Sequence, residues 1–202
     1  MIPDIRSCGT SDCEEYMRVI AGKARRIPLI APPGEDTRPT TDRIKETLFN
    51  IIQDDLYDCR FLDLFAGSGG IGIEALSRGA SQAVFVETDR NAVRCIRTNL
   101  EKTKLETQAD VRTTDVIVAL AALGREGKPF DIIFADPPYR KGWEGRLLEQ
   151  LACSPIVTDE TLIILESALD TEIDYVDEAV FEISRVKDYK SNRHIFLKKC
   201  RE

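Results

Sequence analysis

An alternation of short apolar runs and amphipathic segments fills the chain from Phe61 onward, and it constrains the fold most. The apolar runs predict strands near residues 61–65, 82–87, 109–113, 130–135 and 160–166. The segments between them predict helices near residues 70–78, 90–102, 115–124 and 143–153. Because parallel strands need crossover helices that cover both faces of a sheet, this order predicts an α/β domain with a mostly parallel sheet.

The residues before this alternation have a different pattern. Residues 1–16 are polar and poorly patterned, and we expect a disordered leader there. Residues 17–55 are expected to form a basic N-terminal extension. It would contain a hairpin within residues 17–30 and a helix capped by Thr40 or Thr41.

The end of the chain also departs from the α/β alternation. We expect residues 56–202 to form the main domain, closed by a hairpin of two alternating segments, Val180–Val186 and His194–Lys198. His194 is the single histidine of the chain. We expect it on the surface of this hairpin rather than in a catalytic role.

The composition excludes several classes of protein. Charged residues make up 31% of the 202-residue chain, and no apolar run approaches the ~18 residues that span a bilayer. The N-terminus lacks the apolar core of a signal peptide, so we expect a cytoplasmic protein without membrane contact. The six cysteines form no Cys-x-x-Cys pair, which argues against a structural zinc site and favours reduced thiols. We expect no metal.

The charge is distributed unevenly along the chain. The net charge is −7, yet the segment from Arg18 to Lys45 holds seven basic and three acidic residues. Clustered basic side chains are typical of phosphate-binding surfaces, although an ordinary solvated surface explains them equally well. The candidates for nucleic-acid phosphate contacts are Arg18, Arg25, Arg26, Arg38 and Arg43.

A glycine-rich turn follows the first strand of the alternation. The segment Gly67–Gly72 fits the pattern G-x-G-x-x-G, and Glu87 follows twenty residues after Gly67, at the end of the next apolar run. Glycines allow a tight turn and a close approach to a ligand, while the acid accepts hydrogen bonds from ribose hydroxyls. This pattern suits a dinucleotide as well as S-adenosylmethionine.

Asp63 favours S-adenosylmethionine over a dinucleotide. Its carboxylate lies in the strand just before the turn, where it would repel a pyrophosphate but could hold an ammonium group. Asp115 can accept a hydrogen bond from an adenine amino group, or it can cap the helix that begins there. The residues expected to bind the cofactor are Asp63, Phe65, Ala66, Gly67, Ser68, Gly69, Glu87, Thr88 and Asp115.

A second motif ends a buried strand at Asp136-Pro137-Pro138-Tyr139, and these four residues are the expected catalytic group. The prolines have no N–H and stiffen the backbone, so carbonyl acceptors lie beside a carboxylate and an aromatic ring. We expect Tyr139 to stack on a base that has left its stack. The Asp136 carboxylate and the Pro137 carbonyl would accept hydrogen bonds from its amino group, orienting the nitrogen for methyl transfer.

These motifs belong to a longer pattern that resembles a known family. The matching segments are Met17–Gly22, Thr37–Arg43, Asp63–Gly69, Gly72–Ala80, Phe85–Glu87 and Asp136–Tyr139. Together they resemble the RsmD-type small-subunit ribosomal RNA guanine-N2 methyltransferases, from about Met17 to the C-terminus. The chain departs from the family near its end, where Tyr189–Asn192 stands in place of a Tyr-Gly-x-Thr stretch.

The resemblance implies a class I methyltransferase fold, with a Rossmann-like seven-stranded sheet that ends in an antiparallel hairpin and carries a small N-terminal addition. It implies S-adenosylmethionine as the cofactor and the N2 amine of a guanine in 16S ribosomal RNA as the substrate. The RNA would be presented within an assembling or assembled 30S subunit. Arg38 could line the cofactor pocket instead of binding RNA. We expect the protein to act as a monomer.

Three other functions remain open from the residues alone. An oxidoreductase would use the glycine turn but would leave Asp136–Tyr139 without a role. A methyltransferase acting on another RNA or DNA amino group would share both motifs. A non-catalytic RNA-binding assembly factor would not need Asp63, Glu87 and the Asp136–Tyr139 segment together.

Overall fold

The computed structural model describes residues 14–32 and 42–201, which form nine strands and five α-helices. The strands are β1 (Glu14–Arg18), β2 (Pro28–Ala31), β3 (Arg60–Leu64), β4 (Gln82–Glu87), β5 (Ala109–Thr113), β6 (Ile132–Ala135), β7 (Leu162–Ala168), β8 (Phe181–Asp188) and β9 (Asn192–Lys199). The helices are α1 (Asp42–Ile51), α2 (Gly70–Arg78), α3 (Arg90–Thr103), α4 (Val116–Glu126) and α5 (Trp143–Ala152).

Seven strands form one sheet in the order β5-β4-β3-β6-β7-β9-β8. The first five of these are parallel, and β9 and β8 complete the sheet as an antiparallel hairpin. The expected class I methyltransferase architecture is therefore confirmed. The strand order reverses between β3 and β6, and the crevice at such a switch point is where open α/β sheets bind ligands.

The helices cover both faces of the sheet. Alternate residues of each strand point to opposite faces, so that Phe61 packs with α1, α2 and α3 while Leu62 packs with α4 and α5. Within the described residues, no helix is long and apolar enough to cross a membrane. The strand and helix positions expected from the sequence lie within a few residues of those observed.

The N-terminal extension belongs to the same core as the main sheet. Leu48 and Phe49 of α1 and Leu29 of β2 are buried in one cluster with Phe61 and Leu76. The two strands of the extension pair with each other and form a separate sheet beside α3. The extension is thus packed onto the domain and is not a loosely tethered arm.

The start of the extension differs from the expectation. Glu14–Tyr16 were expected in a disordered leader, but they form the first part of β1 and pair with β2. This part of the expected leader is therefore wrong, because an antiparallel partner strand satisfies its backbone. Residues 1–13 of the leader and the proposed helix caps Thr40 and Thr41 lie outside the described residues.

A buried carboxylate attaches the extension to α2. Glu74 is 0% exposed and accepts hydrogen bonds from the backbone N–H groups of Ile20 (2.8 Å) and Ala21 (2.9 Å). The guanidinium of Arg78 donates to it at 2.8 Å, and the ammonium of Lys45, 1% exposed, lies 3.6 Å away. Two cations and two backbone donors thus compensate the buried charge, as burial requires.

We predict that Glu74→Gln destabilises the protein by about 3 kcal/mol, because it leaves the Lys45 ammonium buried without a counter-charge. Urea unfolding followed by circular dichroism measures the loss. Glu101→Gln, at an exposed position on α3, is the control and should change the unfolding free energy by less than about 0.5 kcal/mol. A loss below about 1 kcal/mol for Glu74→Gln would show that this contact does not anchor the extension.

Candidate active site

Four acidic side chains lie at or near the carboxyl ends of four adjacent strands. In the order of the sheet they are Glu87 on β4, Asp63 on β3, Asp136 directly after β6 and Glu166 on β7. The expected cofactor motif and the expected catalytic motif therefore meet on either side of the switch point. Glu166 was not among the expected residues.

The glycine turn connects β3 to α2 and leaves space beside its backbone. Gly67 (φ 54°) and Gly69 (φ 81°) adopt the left-handed conformation that favours glycine. A Cβ atom added to Gly67 would meet nothing within 4 Å, so this part of the turn is open to a ligand. A Cβ on Gly72 would lie 2.3 Å from Phe85 Cε1, so that glycine is required for α2 to pack on the sheet.

Glu87 holds the glycine turn in place. One carboxylate oxygen accepts a hydrogen bond from the N–H of Gly67 (2.8 Å). The other accepts from the N–H groups of Thr88 (2.7 Å) and Asp89 (2.8 Å). The Thr88 hydroxyl also lies 3.4 Å from that second oxygen, so the oxygen bonded to Gly67 is the one with an acceptor position left for a ligand hydroxyl.

Asp63 lies beneath the turn and is 1% exposed. Its carboxylate accepts a hydrogen bond from the Gly72 N–H at 2.9 Å, in the first turn of α2, where the helix dipole favours negative charge. Burial raises the pKa of Asp63 to about 7, the Gly72 hydrogen bond opposes this, and the charge of Glu87 adds to it. Contact between Asp63 and a cofactor ammonium stays a prediction.

Phe65 adopts an unusual backbone conformation at the entrance to the turn. Its φ of 61° lies in the left-handed region, which costs a residue with a Cβ atom about 1–2 kcal/mol. Its ring packs edge-on against Trp143 of α5, with 5.2 Å between the ring centroids. Strain of this kind is concentrated at functional sites. Of the next residues, Ala66 and Ser68 are buried.

Asn99 on α3 links the glycine turn to the extension, and sequence reasoning missed it. Its amide donates to the carbonyls of Ser68 (3.0 Å) and Ile30 (2.8 Å), and its oxygen accepts from the Ile30 N–H (2.8 Å). A polar residue on the apolar face of the predicted helix was the available signal. This contact makes β2 a support for the cofactor turn.

Thr88 and Asp115 are both exposed at this edge of the sheet. Asp115 accepts a hydrogen bond from the Ile117 N–H at 2.8 Å and caps α4. Of its two expected roles the cap is observed, and a contact with adenine stays a prediction. The two roles are compatible, because the carboxylate has further acceptor positions.

The segment Asp136–Tyr139 begins where β6 ends. The Asp136 N–H donates to the Leu64 carbonyl at 3.4 Å, next to the glycine turn. Burial raises the pKa of Asp136 well above its usual value, and the charges of Glu166 and Asp63 add to this. The Tyr139 hydroxyl donates to Glu166 at 2.7 Å. Pro137 is buried and Pro138 is exposed.

His194 does not lie on the surface, so that prediction was wrong. It is 0% exposed, and its Nε2 lies 3.0 Å from Glu166. The reason is topological: β9 lies between β7 and β8, so both of its faces are covered and His194–Leu197 are all buried. His194 was expected on the surface of the hairpin, but of the two hairpin strands β8, not β9, lies at the edge of the sheet.

The candidate RNA-binding arginines are spread along the extension. Arg18 pairs with Asp42 at 3.0 Å, and its neighbour Met17 lies against Ser68 of the glycine turn. Arg25 and Arg26 are exposed in a turn that packs against Ser77 at the C-terminal end of α2, while the Arg26 N–H donates to the Val19 carbonyl at 2.8 Å, next to Arg18. Arg43 is exposed on the first turn of α1, and Arg38 lies outside the described residues.

A groove of about 560 Å³ lies at the opposite edge of the sheet, near the amino ends of β3, β6 and β7. Asp58, Asp131, Glu160 and Lys198 are among its lining residues, and none of the expected site residues is. Because ligands of such sheets bind at the carboxyl ends, we do not take this groove as the active site.

In residues 14–32 and 42–201, no three histidine, cysteine or acidic residues cluster as metal ligands would.

The chain matches a described protein family and has named relatives. Residues 17–198 match the family described as conserved hypothetical protein 95. Ribosomal RNA small subunit methyltransferase D of Escherichia coli is 38% identical over 154 residues, 76% of either chain. YlbH of Bacillus subtilis, a candidate rRNA methyltransferase, is 40% identical over 78% of this chain and 85% of its own.

A solved structure agrees with the fold described above. The structure of yhhF, a candidate methyltransferase from Escherichia coli, is 34% identical to this chain and superposes with a TM-score of 0.80. The similarity covers 91% of this chain and 97% of that one.

We predict that Asp63→Asn changes how stability depends on pH. Because the pKa of Asp63 is raised to about 7 in the folded protein, its contribution to the unfolding free energy falls as pH rises from about 4 to about 7. We therefore subtract the unfolding free energy of Asp63→Asn from that of the parent at each pH. This difference should fall by a few kcal/mol between pH 5 and pH 8, because each pKa unit between the folded and unfolded protein corresponds to about 1.4 kcal/mol. Urea unfolding at several pH values measures this. Parallel curves for the two proteins would contradict the buried, titrating Asp63.

Proposed function

The chain belongs to the conserved hypothetical protein 95 family, and from this premise we propose that it is an S-adenosylmethionine-dependent ribosomal RNA methyltransferase. Its target is the exocyclic N2 amine of a guanine in 16S ribosomal RNA. The observation that carries the proposal is that Asp136–Tyr139 and the glycine turn flank the same switch point between β3 and β6. The Asp136 N–H bonded to Leu64 joins the two motifs directly.

The residues at the glycine turn fit this cofactor. Open space beside Gly67 leaves room for a ligand, and Glu87 keeps an acceptor position for a ribose hydroxyl. Asp115 is exposed at the end of the next strand and would accept from the adenine amine. When bound, S-adenosylmethionine supplies an electrophilic methyl group on a sulfonium centre.

The catalytic residues act on the base. A guanine amine is a weak nucleophile, because its lone pair is delocalised into the ring, and the base must leave its stack to reach the site. The Asp136 carboxylate and the Pro137 carbonyl accept hydrogen bonds from the amine, orient its lone pair and stabilise the positive charge that develops. Tyr139 offers its ring as the stacking surface. Asp136 must be ionised for this role, so its raised pKa ties activity to pH.

The alternatives explain fewer of the contacts. An oxidoreductase gives no role to the carboxylate and ring of Asp136–Tyr139. A non-catalytic assembly factor gives no reason to hold the half-buried Asp136 carboxylate beside the buried Glu166 carboxylate, whose charge raises the pKa of Asp136. A methyltransferase acting on a different amino group would use the same residues, and the two relatives described above favour ribosomal RNA.

The protein would act where small subunits are assembled. We place it in the cytoplasm, as a monomer, with 16S ribosomal RNA presented in an assembling or assembled 30S subunit. The exposed Arg18 follows Met17, which contacts Ser68 of the glycine turn, and the exposed Arg43 follows Asp42, the ion-pair partner of Arg18; both arginines would contact phosphates.

A basic stripe on α3 extends this candidate RNA surface. Arg90, Arg94 and Arg97 are exposed at spacings of four and three residues, which places them within about 60° on one side of the helix. The stripe starts where β4 ends, at the carboxyl ends of the parallel strands. None of the three forms an ion pair with an acidic side chain that the structure describes, and Arg94 bonds only Asn91. They are therefore available to phosphates.

We predict that Asp136→Asn lowers methyl transfer by about 100-fold while S-adenosylhomocysteine still binds within about threefold of the parent affinity. The amide keeps the shape but replaces a charged acceptor. Transfer of labelled methyl groups to small subunits that lack the modification measures activity, and calorimetry measures binding. Asp110→Asn, on the edge strand β5, is the control and should leave both unchanged. Strong residual turnover in Asp136→Asn, or binding of NADH in place of S-adenosylhomocysteine, would reject the proposed chemistry.

We predict that the paired change Arg94→Gln and Arg97→Gln weakens binding to small subunits and lowers its salt dependence. Each lost phosphate contact should reduce the slope of log affinity against log salt by about 0.7–0.9. The matched variant, Arg25→Gln with Arg26→Gln, removes the same charge from the exposed turn of the extension, which packs against Ser77 of α2, and should have the smaller effect. An unchanged salt slope for the Arg94 and Arg97 variant would show that these residues do not bind RNA. A larger effect of the Arg25 and Arg26 variant would show that the RNA binds at the turn of the extension instead.

A further inference from the structure

A buried carboxylate anchors the ring that the proposed mechanism uses for stacking. Glu166 is 5% exposed, and its Oε1 accepts hydrogen bonds from the Tyr139 hydroxyl (2.7 Å) and from Nδ2 of Asn192 (2.5 Å). Its Oε2 lies 3.0 Å from Nε2 of His194. Three side chains from two other parts of the chain thus converge on one carboxylate.

The register of the sheet produces this arrangement. Glu166 on β7 is directly paired with His194 on β9, and Asn192 is paired with Ala168 two residues further along. Directly paired residues of antiparallel strands have Cβ atoms about 5 Å apart, which is short enough for a hydrogen bond between these side chains. The contact is thus a consequence of how the closing hairpin joins the parallel sheet.

His194 is itself fixed from several sides. Its Nδ1 lies 3.2 Å from the Tyr189 hydroxyl, and the ring packs edge-on against Phe134, Tyr189 and Phe196. An ionised Glu166 can only accept, so Nε2 of His194 must donate to it. The histidine therefore holds the carboxylate, and the apolar rings hold the histidine.

The charge on Glu166 persists despite its burial. Burial alone would raise the pKa of Glu166, but the hydrogen bond and charge of His194, followed by the bonds from Tyr139 and Asn192, bring it below its usual value. A charged acceptor makes a stronger hydrogen bond to the Tyr139 hydroxyl than a neutral one. The half-buried Tyr139 ring is therefore tied at its far end, while Pro138 restrains the backbone at its near end.

We propose that Glu166, held by His194 and Asn192, is a positioning residue that fixes the Tyr139 ring beside Asp136 for stacking on the target base. This inference rests on the proposed methyl transfer and adds a second set of residues to it. Glu166 does not touch the substrate in this scheme. It acts through Tyr139, and through its charge on Asp136.

The charge of Glu166 affects the pKa of Asp136, so its removal should change the pH dependence of activity. Loss of structure alone would not produce that change. The charged groups that act on Asp136 are Asp63 from β3 and Glu166 from β7, and Glu166 in turn bonds the Tyr139 hydroxyl and His194 from β9. Glu166 and Asp63 both raise the pKa of Asp136. Removal of the Glu166 charge should lower that pKa, so the acid limb of the activity profile should move to lower pH.

The experiment compares Glu166→Gln, Tyr139→Phe and the double variant with the parent protein. In steady-state methylation of small subunits, Glu166→Gln should lower kcat at high pH by about 10- to 100-fold and shift the acid limb to lower pH. Tyr139→Phe should lower kcat similarly without that shift. Because Glu166 acts through Tyr139, the double variant should be no slower at high pH than the slower single variant. Additive losses, or an unshifted acid limb in Glu166→Gln, would overturn the proposal.

Two controls separate positioning from stability. Thr161→Val removes a buried hydroxyl that donates to the Phe130 carbonyl at 2.8 Å, at the opposite end of β7 from Glu166. It should lower the melting temperature without changing kcat or the pH profile. If Glu166→Gln fails to fold, His194→Phe tests the same link by removing the donor to Glu166, and a parent-like kcat and pH profile in that variant would reject the proposal.

A measurement without RNA keeps this inference separate from the proposed function. In protein labelled with fluorotyrosine, the Tyr139 fluorine resonance, identified by its loss in Tyr139→Phe, should broaden or shift in Glu166→Gln. If the parent protein methylates no small subunits while this resonance still responds, the proposed function fails and the anchoring of Tyr139 stands. If the parent is active and the resonance does not respond, the positioning role fails alone.

Discussion

The hydrogen bond from the Gly72 N–H to Asp63 fixes where α2 starts relative to β3, and most of the candidate site depends on it. With α2 in this position, Gly72 can approach Phe85 and the glycine turn opens beside Gly67. Glu87 then reaches the turn from the neighbouring strand. Carboxylates that accept hydrogen bonds from backbone N–H groups thus set the positions of the turn and helix at the carboxyl ends of the strands. Each of these bonds pairs a backbone donor that the tight turn would otherwise leave unpaired.

The same dependence extends to the N-terminal extension. Glu74 on α2 accepts hydrogen bonds from two backbone N–H groups of the extension. Asn99 on α3 bonds both Ile30 of the extension and Ser68 of the glycine turn. The extension therefore supports the cofactor side of the site from behind. A role limited to RNA contact does not account for a buried carboxylate and a buried amide, because both require compensating partners that a surface arm would not supply.

The sequence predicted the fold well, because periodicity and glycine placement are local signals. Asp63, Glu87 and Asp136 follow apolar runs at strand ends, so their meeting at one edge follows from a parallel sheet. Glu166 also follows an apolar run, but its role depends on the Tyr139 hydroxyl and on the register of β9 with β7. His194 was misplaced for the same reason: whether a hairpin strand is interior or at an edge is a property of the whole sheet. The hairpin expected within residues 17–30 also follows from a local signal, and its turn at Gly22 brings the Arg26 N–H back to the Val19 carbonyl.

The departure from the family pattern at Tyr189–Asn192 has a chemical meaning in this network. Where the family resemblance leads us to expect a threonine hydroxyl, Asn192 places an amide that donates to Glu166 at 2.5 Å. Both groups are hydrogen-bond donors, but the amide is longer and offers two N–H donors where a hydroxyl offers one. Tyr189, the first residue of the same stretch, supports His194. The substitution therefore retains a donor to the carboxylate behind the stacking ring, and a histidine on the paired strand supplies the second donor.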